Sequence, residues 1–331
     1  MTAPDLIVGD TGSGKTKLLA SAIEYVWQKY KKRSRVYSSD GGGAGEQDDD
    51  LSVLVKLGIV EVLWMREARP GWFPLEVVKK VSKGWWPDAK GQLAPPTPQA
   101  LQEVGLWGFE GMTSMADWLL ETFAAFRAKG INVGDLQSNV KPFPMSGELS
   151  DVNSSTALKD AGNSASDYGL VQRTINRMVV DCRVLPGKKI WSALEICGKE
   201  DKESDWKDRP TGLQRKLVFG PALGGSARTA LIGKDFGNTL SLELVRTKEG
   251  GLRRRLHLEP WFDDENPKIP HLAKVRGVAE GAIPPYLEGT GAEPSMSTFY
   301  DMLEREFEKV RVKKAGELGI AAKPQGVASV K

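Results

Sequence analysis

The sequence predicts an α/β fold in which a mostly parallel central sheet is flanked by helices, with a β-hairpin near the C-terminal end and a C-terminal helix. Three observations predict it. A short apolar run, a glycine-rich loop and an amphipathic helix follow one another at the start of the chain. A strand that ends in an acid and leads into a helix recurs further on. Later segments alternate apolar and polar residues as sheet strands do.

The first of these is "DLIVGDTGSGKTKLL", in which Gly9, Gly14, Lys15 and Thr16 fit the pattern G-x-x-x-x-G-K-[ST] of a phosphate-binding loop. At average residue frequencies such a match arises by accident about once in a hundred chains of this length, so the flanks matter. Leu6, Ile7 and Val8 supply the buried strand that should precede the loop, and Leu19, Ile23, Val26, Trp27 and Tyr30 recur at helical spacing after it. Across Gly9, Asp10, Thr11, Gly12, Ser13, Gly14, Lys15 and Thr16, glycines let backbone N–H groups turn inward around a polyphosphate, and the helix N-terminus adds its positive dipole end. Lys15 is expected to neutralise the β- and γ-phosphates and the Thr16 hydroxyl to ligate Mg²⁺, which makes ATP with Mg²⁺ the expected cofactor set.

Composition sets outer limits. The chain has 331 residues, 40% of them hydrophobic, enough for a large core. Lys and Arg number 46 against 43 Asp and Glu, a net charge of +3, so any basic surface must be local rather than global. Two cysteines, Cys182 and Cys197, exclude a disulfide framework and a zinc cluster and suit a reducing compartment. No apolar run approaches membrane-spanning length and no secretory start is present, so a cytoplasmic protein is expected.

After the first helix, the basic cluster Lys31, Lys32, Arg33 reads as a solvated helix end. "RVYSSDGGGAGEQDDD" begins as a strand and dissolves into glycine and acid, leaving Asp40 at the strand's carboxyl end, where α/β sheets place ligands. "GIVEVLWM" is another strand. The stretch 66–104 is an excursion rich in proline and tryptophan, with "PLEVVKKVS" as a short helix inside it. "VGLWGFEGMTSMADWLLETFAAFRAKG" supplies a strand ending in Glu110, a turn, and a helix with Met115, Leu119, Phe123 and Phe126 on one stripe. Residues 131–166 read as a long polar surface loop. A helix over "YGLVQRTINRMVVDCRVLP" stops at Pro186 and Gly187, and the strand "KKIWSALEI" follows. The segments "RTALIGKDF", "NTLSLELVRT" and "LRRRLHLEP" read as strands, the last two forming a hairpin around "KEGG". Ser297 is the expected cap of an amphipathic helix from Thr298 to about Ala315, followed by a disordered tail. The domain division expected is a core over 1–290 and a C-terminal helix and tail over 291–331.

This order of elements resembles the phage-encoded RecA-like P-loop ATPases, a family that includes single-strand annealing and recombination proteins, over roughly residues 5–290. In that family the strand after the loop helix ends in a carboxylate that polarises the attacking water, within a pattern resembling "DTEGG"; "SSDGG" puts Asp40 in its place. "WGFEGMTSM" puts Glu110 in the place of the Mg²⁺-side acid, and "WSALEI" offers Glu195 as the polar sensor at the end of the next strand. "FGPALGGSA" is similar to a Pro-and-Gly turn in the phage members. Asp40 and Glu110 each exchange Glu for Asp, or the reverse, relative to the usual pattern. One methylene moves a carboxylate by about 1.5 Å, and misplacement on that scale can cost about a hundredfold in rate, so binding is a firmer expectation than fast hydrolysis. The resemblance implies an ATPase in DNA recombination or annealing, assembled as a ring or filament, with single-stranded DNA as partner and the host cytoplasm as its place. Arg228, Arg246 and Lys248 are the trans-acting candidates for a neighbour's γ-phosphate. A phage particle-assembly protein that keeps nucleotide as a switch or stabilising ligand is the alternative.

Three other groups have duller readings beside them. One of Arg253, Arg254 and Arg255 must lie near the face of Leu252, Leu256 and Leu258, where it either meets a phosphate backbone or lines a solvated edge. Trp85 and Trp86 could stack on unpaired bases, with packing the simpler role. His257 and His271 have no carboxylate partner suggested by spacing.

Overall fold

The computed structural model describes residues 3–40, 50–66, 74–128, 165–197, 219–222, 235–247, 250–264, 267–288 and 294–318. Strand β1 (Asp5–Gly9) is buried along its whole length, as a strand flanked on both faces must be. It leads through the glycine-rich loop into α1 (Lys15–Tyr30). Then come β2 (Arg33–Ser38), α2 (Asp50–Lys56), β3 (Val60–Trp64) and α3 (Pro74–Val81). A two-stranded ribbon, β4 (Trp86–Pro87) with β5 (Leu93–Ala94), precedes α4 (Pro98–Glu103), which runs directly into β6 (Val104–Glu110) and α5 (Met112–Ala128). The later elements are α6 (Ala165–Asp181), β7 (Lys188–Cys197), β8 (Phe219–Pro221), β9 (Asn238–Arg246), β10 (Leu252–His257), β11 (Tyr286–Glu288) and α7 (Met296–Glu317).

The main sheet runs β11-β10-β9-β1-β7-β6-β2-β3, with β8 paired to β7. From β9 to β3 the neighbours are all parallel, while β10, β11 and β8 join antiparallel. The expected fold class, an α/β core with a mostly parallel central sheet flanked by helices, a hairpin near the C-terminal end and a C-terminal helix, is the one observed. The chain reaches β2 and β3 on one side, returns through β6 and β7, and crosses β1 to β9 on the other. β1 therefore sits where the winding changes side, and the crevice beyond its carboxyl end is the natural ligand site.

Alternation along β1 separates two cores. Leu6 and Val8 join Tyr37, Trp107, Phe109 and Trp191 beneath α3, α5 and α6, whereas Ile7 joins Val36, Leu106, Ile190 and Leu240 beneath α1, α2 and α7. Tyr37, Phe109 and Trp191 are register partners on β2, β6 and β7, and their rings stack at 5.3 Å and 4.2 Å. This aromatic row fixes the spacing of the strand ends that carry the acids.

Several sequence expectations are corrected. Of "FGPALGGSA", "FGP" forms a strand rather than a turn, and the residues after Ala222 lie outside the described ones; among the described residues β8 pairs only with β7, an edge position that tolerates Pro221. The cap of α7 is Ser295, whose Oγ accepts from the Ser297 N–H, and the helix begins two residues early so that Met296 is buried. The short helices α2 and α4 and the edge strand β11 were not read from the sequence. Trp86 packs against the main core beside Tyr37, with Arg35 over its ring at 4.6 Å, which favours its packing role. The polar loop 131–166 lies outside the described residues except for Ala165 and Ser166, which open α6. Most of "RTALIGKDF", and the tail after 318, lie outside them too. No helix among the described residues is long and apolar enough to cross a membrane.

Candidate functional site

The loop leaves β1 at Gly9, turns through exposed Asp10, Thr11 and Gly12, and closes with Ser13 N–H donating to the Asp10 carbonyl at 3.2 Å. Gly14 stands at the N-cap of α1 with φ 102°, a conformation that strains any residue with a Cβ. No side chain caps this helix and no acid occupies its first turn, so its N-terminal N–H groups keep their full positive character. Lys15 Nζ donates to the carbonyls of Gly9 and Asp10 at 2.9 and 2.7 Å.

Of the two acids expected at strand ends, Glu110 touches the residue after the loop lysine and Asp40 stands close enough to act electrostatically on Lys15. Glu110, last residue of β6 and only 6% exposed, accepts a hydrogen bond from Thr16 Oγ1 at 2.6 Å. Asp40 follows β2 and accepts from Ser114 Oγ at the start of α5. Between them, Gly111 has φ 77°, and a Cβ there would run into the Asp40 carboxylate. The ends of β2 and β6 are tied together, because Ser39 donates to the Glu110 carbonyl through both its N–H and its Oγ at 3.1 Å. Burial pushes the Lys15 ammonium below its ordinary pKa, against the opposing pull of Asp40, Asp10, Glu195 and Glu110. Four carboxylates thus act on one half-buried cation.

Glu195 lies on β7, between β1 and β6, and its surroundings differ from the sequence expectation. Ser241 Oγ donates to its Oε1 at 3.4 Å, and His271 Nδ1 lies 3.1 Å from its Oε2. The other ring nitrogen of His271 meets Asp263 Oδ2 at 2.9 Å. His257 has a carboxylate as well, Glu243 at 2.7 Å. Trp261 stacks between the two imidazoles, at 4.3 Å from His257 and 3.9 Å from His271. Both histidines therefore have acid partners that sequence spacing did not suggest; Glu195 and His271 are 76 residues apart, beyond any local spacing rule.

Of the trans-acting candidates, Arg246 is the exposed last residue of β9, while Arg228 and Lys248 lie outside the described residues. Sequence reasoning missed two contacts. Ser114 gave no signal. Arg254 did, since it alternates with Leu256 on β10: its Nε donates to the Ser13 carbonyl at 2.6 Å.

The loop fits a polyphosphate with a divalent cation. Ser13 Oγ is buried and has no hydrogen-bond partner among the described residues, Gly14 leaves room where a Cβ would intrude, and a hydroxyl and a carboxylate meet at Thr16 and Glu110. No protein-family model matches the sequence, and no curated protein matches it. Among solved structures it is similar to a KaiC-like protein from the hyperthermophilic archaeon Pyrococcus horikoshii, with 10% identity, 82% of each chain covered and a TM-score of 0.35. That likeness is too distant to bear on activity; the fold assignment rests on the strand order and the loop.

Proposed function

We propose that this chain binds ATP with Mg²⁺ at the loop and hydrolyses the ATP at a modest rate, as a RecA-like ATPase of DNA recombination or single-strand annealing. The observation that carries the nucleotide reading is the hydrogen bond from Thr16 to Glu110, which joins the hydroxyl after the loop lysine to a carboxylate on another strand. Thr16 and Glu110 would hold Mg²⁺, and Lys15 with the loop N–H groups would hold the phosphates. Bound there, Mg²⁺ offsets the charge that develops on the phosphates during transfer. Asp40 orients the attacking water, and its shortness relative to glutamate accounts for the modest rate. Glu195, held by His271 and Ser241, is the polar sensor beside them.

The phage setting, the host cytoplasm, single-stranded DNA as partner and a ring or filament of copies rest on the family resemblance. One set of assays tests the whole. Lys15→Ala should weaken ATP affinity at least about tenfold with little loss of fold, since the residue meets a ligand site rather than a core. Unchanged affinity by calorimetry would refute the loop assignment. Turnover of the wild type stimulated by single-stranded DNA supports the recombination role. Tight nucleotide binding with weak turnover and no DNA binding supports the particle-assembly alternative instead.

A further inference from the structure

Two basic side chains converge on the N-terminus of α1, where a helix least favours cations. Lys15 belongs to the loop; the other, Arg254, arrives from β10, a strand 241 residues further along the chain from Ser13. In the β10 register Leu256 lies opposite Leu242, which in turn lies opposite Gly9, so Arg254 stands one same-face step beyond the row on which the loop begins. Its neighbours on that face, Leu256 and Leu258, pack with α1, whereas Arg255 turns to Glu288 and Tyr286 on the sheet's edge. The guanidinium lies against Gly14 so closely that a Cβ there would fall 2.7 Å from its Nε.

The sheet order gives the two cations different stations. Asp40, Glu110 and Glu195 come from β2, β6 and β7, all on one side of β1; Arg254 comes from β10, on the other. Metal and terminal phosphate belong on the acid side, where Thr16 meets Glu110. An anion extending from there across the helix N-terminus leaves the carboxylates behind and approaches Arg254. We infer that Arg254 binds the α-phosphate of a nucleoside polyphosphate in the same chain, marking the nucleoside end of the site. This rests on the nucleotide-binding reading above.

The test measures MgATP and MgADP affinity calorimetrically for the wild type, Arg254→Ala and Arg254→Lys. Both nucleotides carry an α-phosphate, so Arg254→Ala should weaken both by a similar factor, about tenfold or more, with partial recovery in Arg254→Lys. The diastereomers of ATP bearing sulfur on the α-phosphate separate contact from mere bracing of the loop. One of them should bind the wild type severalfold more weakly than ATP and lose that penalty in Arg254→Ala. Unchanged affinities, a loss confined to ATP, or a sulfur penalty that survives in Arg254→Ala would each overturn the assignment. If Arg254→Ala fails to fold, the same comparison is read on Arg254→Lys. A wild type that binds neither nucleotide would sink the nucleotide-binding reading itself, an outcome distinct from these.

Discussion

At the scale of single residues, two carboxylates stand beside the loop in different surroundings. Glu110 is buried and touches Thr16 directly, whereas Asp40 is exposed and held by Ser114. Glu110→Gln should therefore weaken the Mg²⁺ dependence of ATP binding, while Asp40→Asn should spare MgATP affinity and lower turnover, by about a hundredfold if it orients the water. Equal and negligible effects of both in steady-state assays would remove both from the site. His271 makes a different prediction. Burial pushes its imidazolium down, but Glu195 and Asp263 more than offset this, and its pKa stands above the ordinary value. A histidine raised in this way contributes stability that is complete below its unfolded pKa of about 6.5 and is lost as pH rises through the folded value. Denaturant unfolding should show wild-type stability falling above about pH 6.5, and His271→Gln should flatten that fall. The places of Asp40 and Glu110 at strand ends were legible in the sequence because a glycine follows each and stops the strand pattern, a local signal. The His271 contacts were not, because Glu195, Asp263 and Trp261 come together only through the fold.

At the scale of elements, strand and helix periodicity identified most of the sheet, and the failures share a cause. β8, with its glycine and proline, has no local reason to be a strand and becomes one by pairing with β7. The start of α7 was misplaced because both Ser295 and Ser297 can cap a helix, and burial of Met296 rather than local chemistry decides between them. That helix is structural as well as terminal. Phe299 is fully buried in the α1 core, and the Tyr300 hydroxyl donates to Asp5 at 3.0 Å at the head of β1. Phe299→Ala should cost about 3–5 kcal/mol of unfolding free energy, the range for truncating a buried aromatic residue. A loss under about 1 kcal/mol in chemical denaturation would mean that α7 merely leans on the core.

At the scale of the whole molecule, the arrangement of cations around the loop bears on whether one chain completes its own site. Arg254 supplies a cation in the same chain, on the side of β1 away from the acids, and leaves the acid side served by Lys15. Arg246 cannot follow Arg254's route without a change of path. Gly9 is in register with Leu242, four residues earlier on the same strand, so the Arg246 backbone lies about 13 Å further along the sheet than the start of the loop. An exposed arginine at that distance is placed to reach outward, and a neighbouring copy's nucleotide is the partner expected of a ring or filament. Arg246→Ala should then lower turnover by about a hundredfold or more while leaving ATP affinity nearly intact, because a cation acting from a neighbour serves mainly the transition state. Mixing Arg246→Ala with Lys15→Ala should restore part of the activity, since some interfaces then join an intact loop to an intact arginine. A monomer by light scattering with ATP, ADP or DNA present, together with normal turnover of Arg246→Ala, would show that each chain works alone.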